Sequence, residues 1–320
     1  MYIEFRSIAD LNNTIIQKMQ ILPYDIDLVV GIPRSGMLPA NLIALYLNKP
    51  FVDIDSFVDG RVYASGCRGS YINQDNSRKV LIVDDSISSG SALEKAKNKL
   101  KSVASKYNLL YAAIYATSKG SKMVDYFFEI IDLPRVFQWN LFHHKTFITK
   151  SCFDIDGVLC VDPPMDDDGP IYSEYIANAP ALYIPSLEID TLVSCRLEKY
   201  RNITEEWLKK NNVKYKHLVM LPFKTKAERI AWGKHGEYKG KTYKKSDNIF
   251  FVESSLTQAH TISKVSGKPV FCTETMEMVI DHPVVNKAKQ KTRLRLYTYK
   301  KAMYRKIKSL LQTFKIHRDR

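Results

Sequence analysis

VLIVDDSISSGS, residues Val80 to Ser91, opens with four apolar residues, continues with two adjacent aspartates and ends in serines interrupted by a glycine. A short apolar run bounded by polar residues reads as a strand covered on both faces. Two carboxylates at the end of such a strand repel each other and lose hydration, a cost that stands unless a ligand offsets it. The Ser88-Ser89-Gly90-Ser91 segment places hydroxyls and approachable backbone N–H groups where a helix begins, which suits a phosphate. Carboxylates accept hydrogen bonds from a vicinal diol and amides hold a monophosphate, so the stretch reads as a binder of a phosphorylated sugar.

Similar runs recur at 27–33, 50–55, 109–117 and 127–132, with helical stretches at 38–47 and 91–104 between them. That alternation predicts an α/β fold with a mostly parallel sheet, in which ligands collect at the carboxyl ends of the strands. Asp84 and Asp85 fall at such an end. So does Gly31-Ile32-Pro33-Arg34-Ser35-Gly36, a second glycine-bearing loop that carries an arginine.

Over roughly residues 20 to 135 these two loops resemble the type I phosphoribosyltransferase family, whose signature is an apolar strand, two acids, two spacers and Ser/Thr-Ser/Thr-Gly. The resemblance implies that Asp84 and Asp85 bind the ribose hydroxyls of phosphoribosyl pyrophosphate. It implies that Ser88, Ser89, Gly90 and Ser91 bind the 5-phosphate, and that the loop from Gly31 through Pro33, Arg34, Ser35 and Gly36 meets the pyrophosphate. Magnesium would be held largely by the substrate's own oxygens. The polar stretch 59–76 is expected to be either an ordinary surface loop or a hood closing over the reaction, with Arg61, Arg68 or Tyr71 touching substrate.

Residues 131–148 read as a packed connector, after which Asp154-Ile155-Asp156-Gly157 follows a short apolar run. Two aspartates two apart share one side of an extended chain, and Gly157 lets the backbone turn at once. This resembles the first motif of the haloacid dehalogenase superfamily of phosphohydrolases. Three further motifs follow in order: a strand ending at Ser194 and followed by Arg196, Lys239 with Lys241 as a rival, and a strand ending at Glu253. By resemblance Asp154 attacks phosphorus, and Asp156 protonates the leaving oxygen and then activates water. Ser194 and Lys239 neutralise phosphoryl oxygens, while Asp154, Asp156 and Glu253 place magnesium. Ser254 stands where that family often has a second acid, a departure that bears on metal affinity. The short spacing between the first two motifs predicts a minimal cap and an open site suited to a large substrate.

The net charge of +14 is not spread over the chain: residues 286–320 hold thirteen Lys and Arg against one acid, Asp319, and so carry +12 of it. Leu296, Tyr299, Met303, Ile307, Leu310 and Phe314 recur at helical spacing there, predicting a basic amphipathic helix. Such a helix either lies on an anionic membrane or docks on the protein's own body. With that tail set aside, the body is near neutral and no nucleic-acid partner is expected. Five scattered cysteines without a CxxC pair argue against disulfides or zinc. With no apolar leader and no long apolar run, a cytoplasmic protein is expected, peripheral at the inner membrane face if the tail binds lipid.

The expected organisation is therefore two doubly wound α/β domains and a tail: a phosphoribosyltransferase fold over 1–145, a haloacid dehalogenase-like Rossmannoid fold with minimal cap over 146–285, and a helix over 286–320. The pairing resembles fused phosphoribosyltransferase-phosphatase proteins of surface-polysaccharide pathways. It implies 5-phosphoribosyl transfer to a glycan hydroxyl, lipid-linked in keeping with the tail, then removal of the 5-phosphate to leave a β-ribofuranoside. A nucleobase salvage enzyme with a nucleotide phosphatase, or a non-catalytic phosphoribosyl pyrophosphate sensor, are the alternatives. Asp59 and Asp84 are both candidate bases for the transfer.

Overall fold

A computed structural model of the protein describes residues 3–63, 78–163 and 168–280. The chain divides after Asn140 into two compact units. Arg68, Tyr71 and the basic stretch 286–320 lie outside the described residues.

The first unit contains β1 (Glu4–Arg6), α1 (Ile8–Lys18), β2 (Leu28–Gly31), α2 (Met37–Leu47), β3 (Phe51–Asp53), α3 (Ile54–Val58), β4 (Lys79–Ile87), α4 (Ser91–Leu100), β5 (Asn108–Ala116), β6 (Tyr126–Ile130) and β7 (Arg135–Phe137). Five strands form a parallel sheet in the order β3-β2-β4-β5-β6. Alternation along β4 sends Val80 and Ile82 into a core with Leu28, Val30, Phe57 and Leu100, and Leu81 and Val83 into a second core with Val29, Ala40, Ile43 and Ile114. Helices cover both faces, which is why this strand carries no polar residue between Lys79 at its start and Asp84.

Three expectations shift at the edges of elements. The 50–55 run is extended only to Asp53, because that side chain accepts hydrogen bonds from the Asp55 and Ser56 amides and starts α3. The helix expected over 91–104 ends at Leu100. Within the connector expected over 131–148 lies β7, a three-residue strand too short to show a period, which pairs in parallel with β1 as a separate two-stranded sheet.

The second unit contains α5 (Lys145–Ile148), β8 (Ser151–Phe153), α6 (Gly169–Asn178), β9 (Ile189–Leu197), α7 (Arg201–Lys210), β10 (Tyr215–Leu221), α8 (Lys226–Trp232), α9 (His235–Lys245), β11 (Phe250–Glu253), α10 (Leu256–Ser266), β12 (Val270–Cys272) and β13 (Glu277–Val279). Its six strands run in the order β10-β9-β8-β11-β12-β13, parallel except for β13. Cys152, Val193, Phe251 and Val270 pack with Tyr243 of α9 and with Ala259 and Ile262 of α10. Among the described residues between β8 and β9, α6 is the one α-helix.

Candidate active sites

In the first unit the strand order reverses between β2 and β4: β3 lies to one side of β2, and β4, β5 and β6 to the other. Loops leaving adjacent strands at such a reversal part above and below the sheet and open a crevice at the carboxyl ends. The loops expected to bind donor leave from these two strands.

They meet at the two aspartates. The Ile32 amide donates to the Val83 carbonyl at 2.9 Å, and Ser35 Oγ donates to Asp85 Oδ1 at 2.9 Å. A Cβ on Gly36 would stand 2.6 Å from the Ile32 carbonyl oxygen, 2.7 Å from that of Val83 and 3.0 Å from Asp84 Cα, so only glycine lets the loop lie this close to β4. Pro33 and Arg34 are exposed on the loop, joined by a cis peptide, and the Arg34 guanidinium donates to Asn140 Oδ1. Gly31 closes β2, with Met37 of α2 packed where a side chain would stand.

Asp85 is buried, and its second oxygen accepts a hydrogen bond from the Trp139 indole at 2.7 Å. Asp84 accepts from the Asp85 amide at 2.9 Å. Burial first, then the charge of Asp85 and a hydrogen bond to it, push the Asp84 carboxyl up to about 8. The pair therefore rests with one carboxyl anchored by Ser35 and Trp139 and the other poorly satisfied. β4 runs past both to Ile87, two residues further than expected, before the Ser88 to Gly90 turn. Gly90 takes the left-handed conformation at φ +81° and leads into α4 with no side chain capping the first turn. Ser89 and Ser91 share a hydrogen bond of 2.9 Å beside those amides. Arg61, a candidate hood residue, is exposed and paired with Asp59 at 2.7 Å.

Trp139 and Asn140 were not singled out in the sequence. Both lie just after β7, and the aromatic stack of Tyr115, Phe137 and Trp139 that holds the indole in place is a tertiary feature without sequence spacing.

In the second unit the strand order reverses between β8 and β11, with β9 and β10 on one side and β12 and β13 on the other. Asp154 follows β8 and Glu253 ends β11, so both face the crevice that this reversal opens. Lys239 of α9 joins them: its Nζ lies 2.6 Å from Asp154 Oδ2, 2.7 Å from Glu253 Oε2 and 3.0 Å from Gln258 Oε1. Lys239, Asp154 and Glu253 are all buried. Lys241 instead points outward, 68% exposed, toward Glu237 at 3.8 Å, so of the two lysines Lys239 is the one that meets Asp154 and Glu253. Lys239 sits one turn into α9, on its buried side with Gly236, Gly240 and Tyr243.

Burial, the largest influence, pushes the Asp154 carboxyl up, and the attraction of Lys239 offsets it only in part. Burial alone would discharge Lys239, but Asp154 and Glu253 outweigh it and hold the ammonium charged, well above its ordinary range. Ser194 is fully buried in β9, with its Oγ accepting from the Arg196 amide at 3.1 Å. Asp156 does not join the Lys239 cluster. Its carboxylate is held by Arg196, with Nη2 at 2.6 Å from Oδ1 and Nε at 3.2 and 3.1 Å from the two oxygens.

The three carboxylates expected to place magnesium are thus divided between two cations. Among the described residues no group of three or more His, Cys, Asp or Glu side chains is arranged as a metal site. The oxygens not bonded to Lys239, Asp154 Oδ1 and Glu253 Oε1, accept only N–H or O–H groups of neighbouring residues and have the hard-oxygen chemistry magnesium requires. Ser254, in place of a second acid, donates to the Asp156 carbonyl at 3.3 Å and to Glu253 Oε1 at 3.4 Å.

Among solved structures the chain is similar to a Helicobacter pylori xanthine-guanine-hypoxanthine phosphoribosyltransferase, at 16% identity over 44% of this chain and 93% of that one, TM-score 0.34. It is also similar to a purine phosphoribosyltransferase from Pyrococcus horikoshii, at 22% identity over 43% of this chain and 94% of that one, TM-score 0.33. No curated protein matches the chain. A family model does match, that of the phosphoribosyl transferase domain, over residues 3–146. The first compact unit is accordingly a phosphoribosyl transferase domain.

Proposed function

We propose that the protein transfers a 5-phosphoribosyl group from phosphoribosyl pyrophosphate to a glycan hydroxyl and then removes the 5-phosphate, leaving a β-ribofuranosyl residue. The observation that carries the two-step reading is the buried Asp154–Lys239–Glu253 cluster in the second unit, a second reactive centre on a chain whose first unit is a phosphoribosyl transferase domain. Covalent linkage keeps that centre at high effective concentration around the product of the first.

In the first step Asp84 and Asp85 take the ribose hydroxyls, Ser88 to Ser91 the 5-phosphate, and the Gly31 to Gly36 loop with Arg34 the pyrophosphate. The bond from ribose C1 to pyrophosphate breaks, a bond to the acceptor oxygen forms with inversion, and the acceptor proton passes to a base. Asp59 is exposed and paired with Arg61. Asp84, whose proton affinity is raised by burial and by the charge of Asp85, is the other candidate.

The second unit is read as a haloacid dehalogenase-like phosphatase. The Asp154 carboxylate attacks phosphorus as the ester P–O bond breaks, and the departing oxygen takes a proton from Asp156. Water then attacks the aspartyl phosphate, yields its proton to Asp156 and releases inorganic phosphate. In this reading Ser194 and Lys239 neutralise phosphoryl oxygens. Magnesium, held by Asp154 and Glu253, would supply further positive charge to the phosphoryl group. If the basic stretch 286–320 lies on anionic lipid rather than docking on the protein's own body, it suits a lipid-linked acceptor.

The acceptor is tested by following pyrophosphate release from phosphoribosyl pyrophosphate with magnesium, in parallel with lipid-linked glycan extracts and with free nucleobases. Release with glycan supports the proposal. Release only with nucleobases makes the protein a salvage enzyme, and tight donor binding without release makes it a sensor.

A further inference from the structure

Arg196 is 1% exposed, and among the described residues the one carboxylate it pairs with is Asp156. Its guanidinium is fixed on every side: Nη1 donates to Thr204 Oγ1 at 3.3 Å, Nη2 to Cys160 Sγ at 3.3 Å, and Nε and Nη2 to Asp156. Its own amide donates to Ser194 Oγ. The hold on Asp156 is uneven. Oδ1 receives Nη2 at 2.6 Å and Nε at 3.2 Å, with Cys160 Sγ a further neighbour at 3.6 Å, whereas among the described residues Oδ2 receives only Nε at 3.1 Å. One oxygen is therefore anchored and the other keeps lone-pair capacity.

A buried ion pair is weak evidence for stability, since apolar side chains of like volume often do as well. What a planar fork adds is direction, which a point charge such as lysine does not. We propose that Arg196 is a positioning residue that fixes the Asp156 carboxyl so that Oδ2 exchanges the proton in both halves of phosphate-ester hydrolysis. The inference rests on the phosphatase reading of the second unit and goes beyond it, since nothing in that reading gives Arg196 a role.

The full chain is assayed with magnesium and p-nitrophenyl phosphate as wild type, Asp154→Asn, Asp156→Asn, Arg196→Met, Arg196→Lys and the Arg196→Met/Asp156→Asn double variant. We expect Arg196→Met to lower kcat about 100-fold, as misplacement of a reacting group by about 1 Å does, with KM changed less than about threefold. Arg196→Lys should restore little, and the double variant should be no slower than Asp156→Asn alone. Folded Arg196→Met with unchanged kcat, full rescue by lysine, or multiplying effects in the double variant overturns the inference and leaves the phosphatase reading standing. If Arg196→Met does not fold, Thr204→Val decides: a several-fold lower kcat at unchanged KM supports the inference, and unchanged kcat overturns it. Absence of hydrolysis by the wild type overturns both.

Discussion

Asp84 and Asp85 show how adjacent identical residues acquire different tasks. Asp85 is satisfied by Ser35 and Trp139 before any ligand arrives, whereas Asp84 is buried against that neighbour and has its carboxyl raised to about 8. A raised acid binds its proton more tightly in the folded chain than in the unfolded one. Stability from this group therefore falls as pH rises from about 4, its ordinary value, to about 8. Asp84→Asn should flatten that slope in thermal unfolding followed across the window, and should abolish tight donor binding by calorimetry; an unchanged slope would show that Asp84 is not the group responsible. Gly36 is constrained by space. Gly36→Ala must push Ile32 or β4 aside and should cost about 1–3 kcal/mol in denaturant unfolding, with weaker pyrophosphate binding.

Each proposed site is set by where its sheet changes direction, and much of this was legible in sequence. The apolar run into Asp84 showed a strand covered on both faces, and the serines after it a helix start. The spacing of Asp154 and Asp156 suggested one shared cluster; the structure separates them, because Arg196 lies buried against the second. β7 was not legible, since three residues carry no period, and Trp139 and Asn140 went unseen with it. The choice between Lys239 and Lys241 depends on the face α9 turns inward, which two residues' difference in a polar helix does not disclose. That choice has a sharp consequence. Lys239→Met leaves Asp154 and Glu253 buried without their cation, and should cost about 3–5 kcal/mol in stability and at least about 100-fold in phosphatase kcat. Lys241→Met should change stability by less than about 0.5 kcal/mol and leave kcat alone. Equal effects of the two would contradict the assignment.

At the scale of the whole molecule, the proposed function joins a transferase that would install a phosphate-bearing sugar to a hydrolase that would strip the phosphate. Neither step alone leaves a plain riboside, and blocking the second should trap the product of the first. The measurement that tests this most directly incubates wild type and Asp154→Asn with magnesium, phosphoribosyl pyrophosphate and lipid-linked glycan, and reads the glycan by mass spectrometry. The account predicts a phosphopentose on the glycan with Asp154→Asn and a bare pentose with wild type. A bare pentose from both proteins, or no pentose on any glycan, would contradict it.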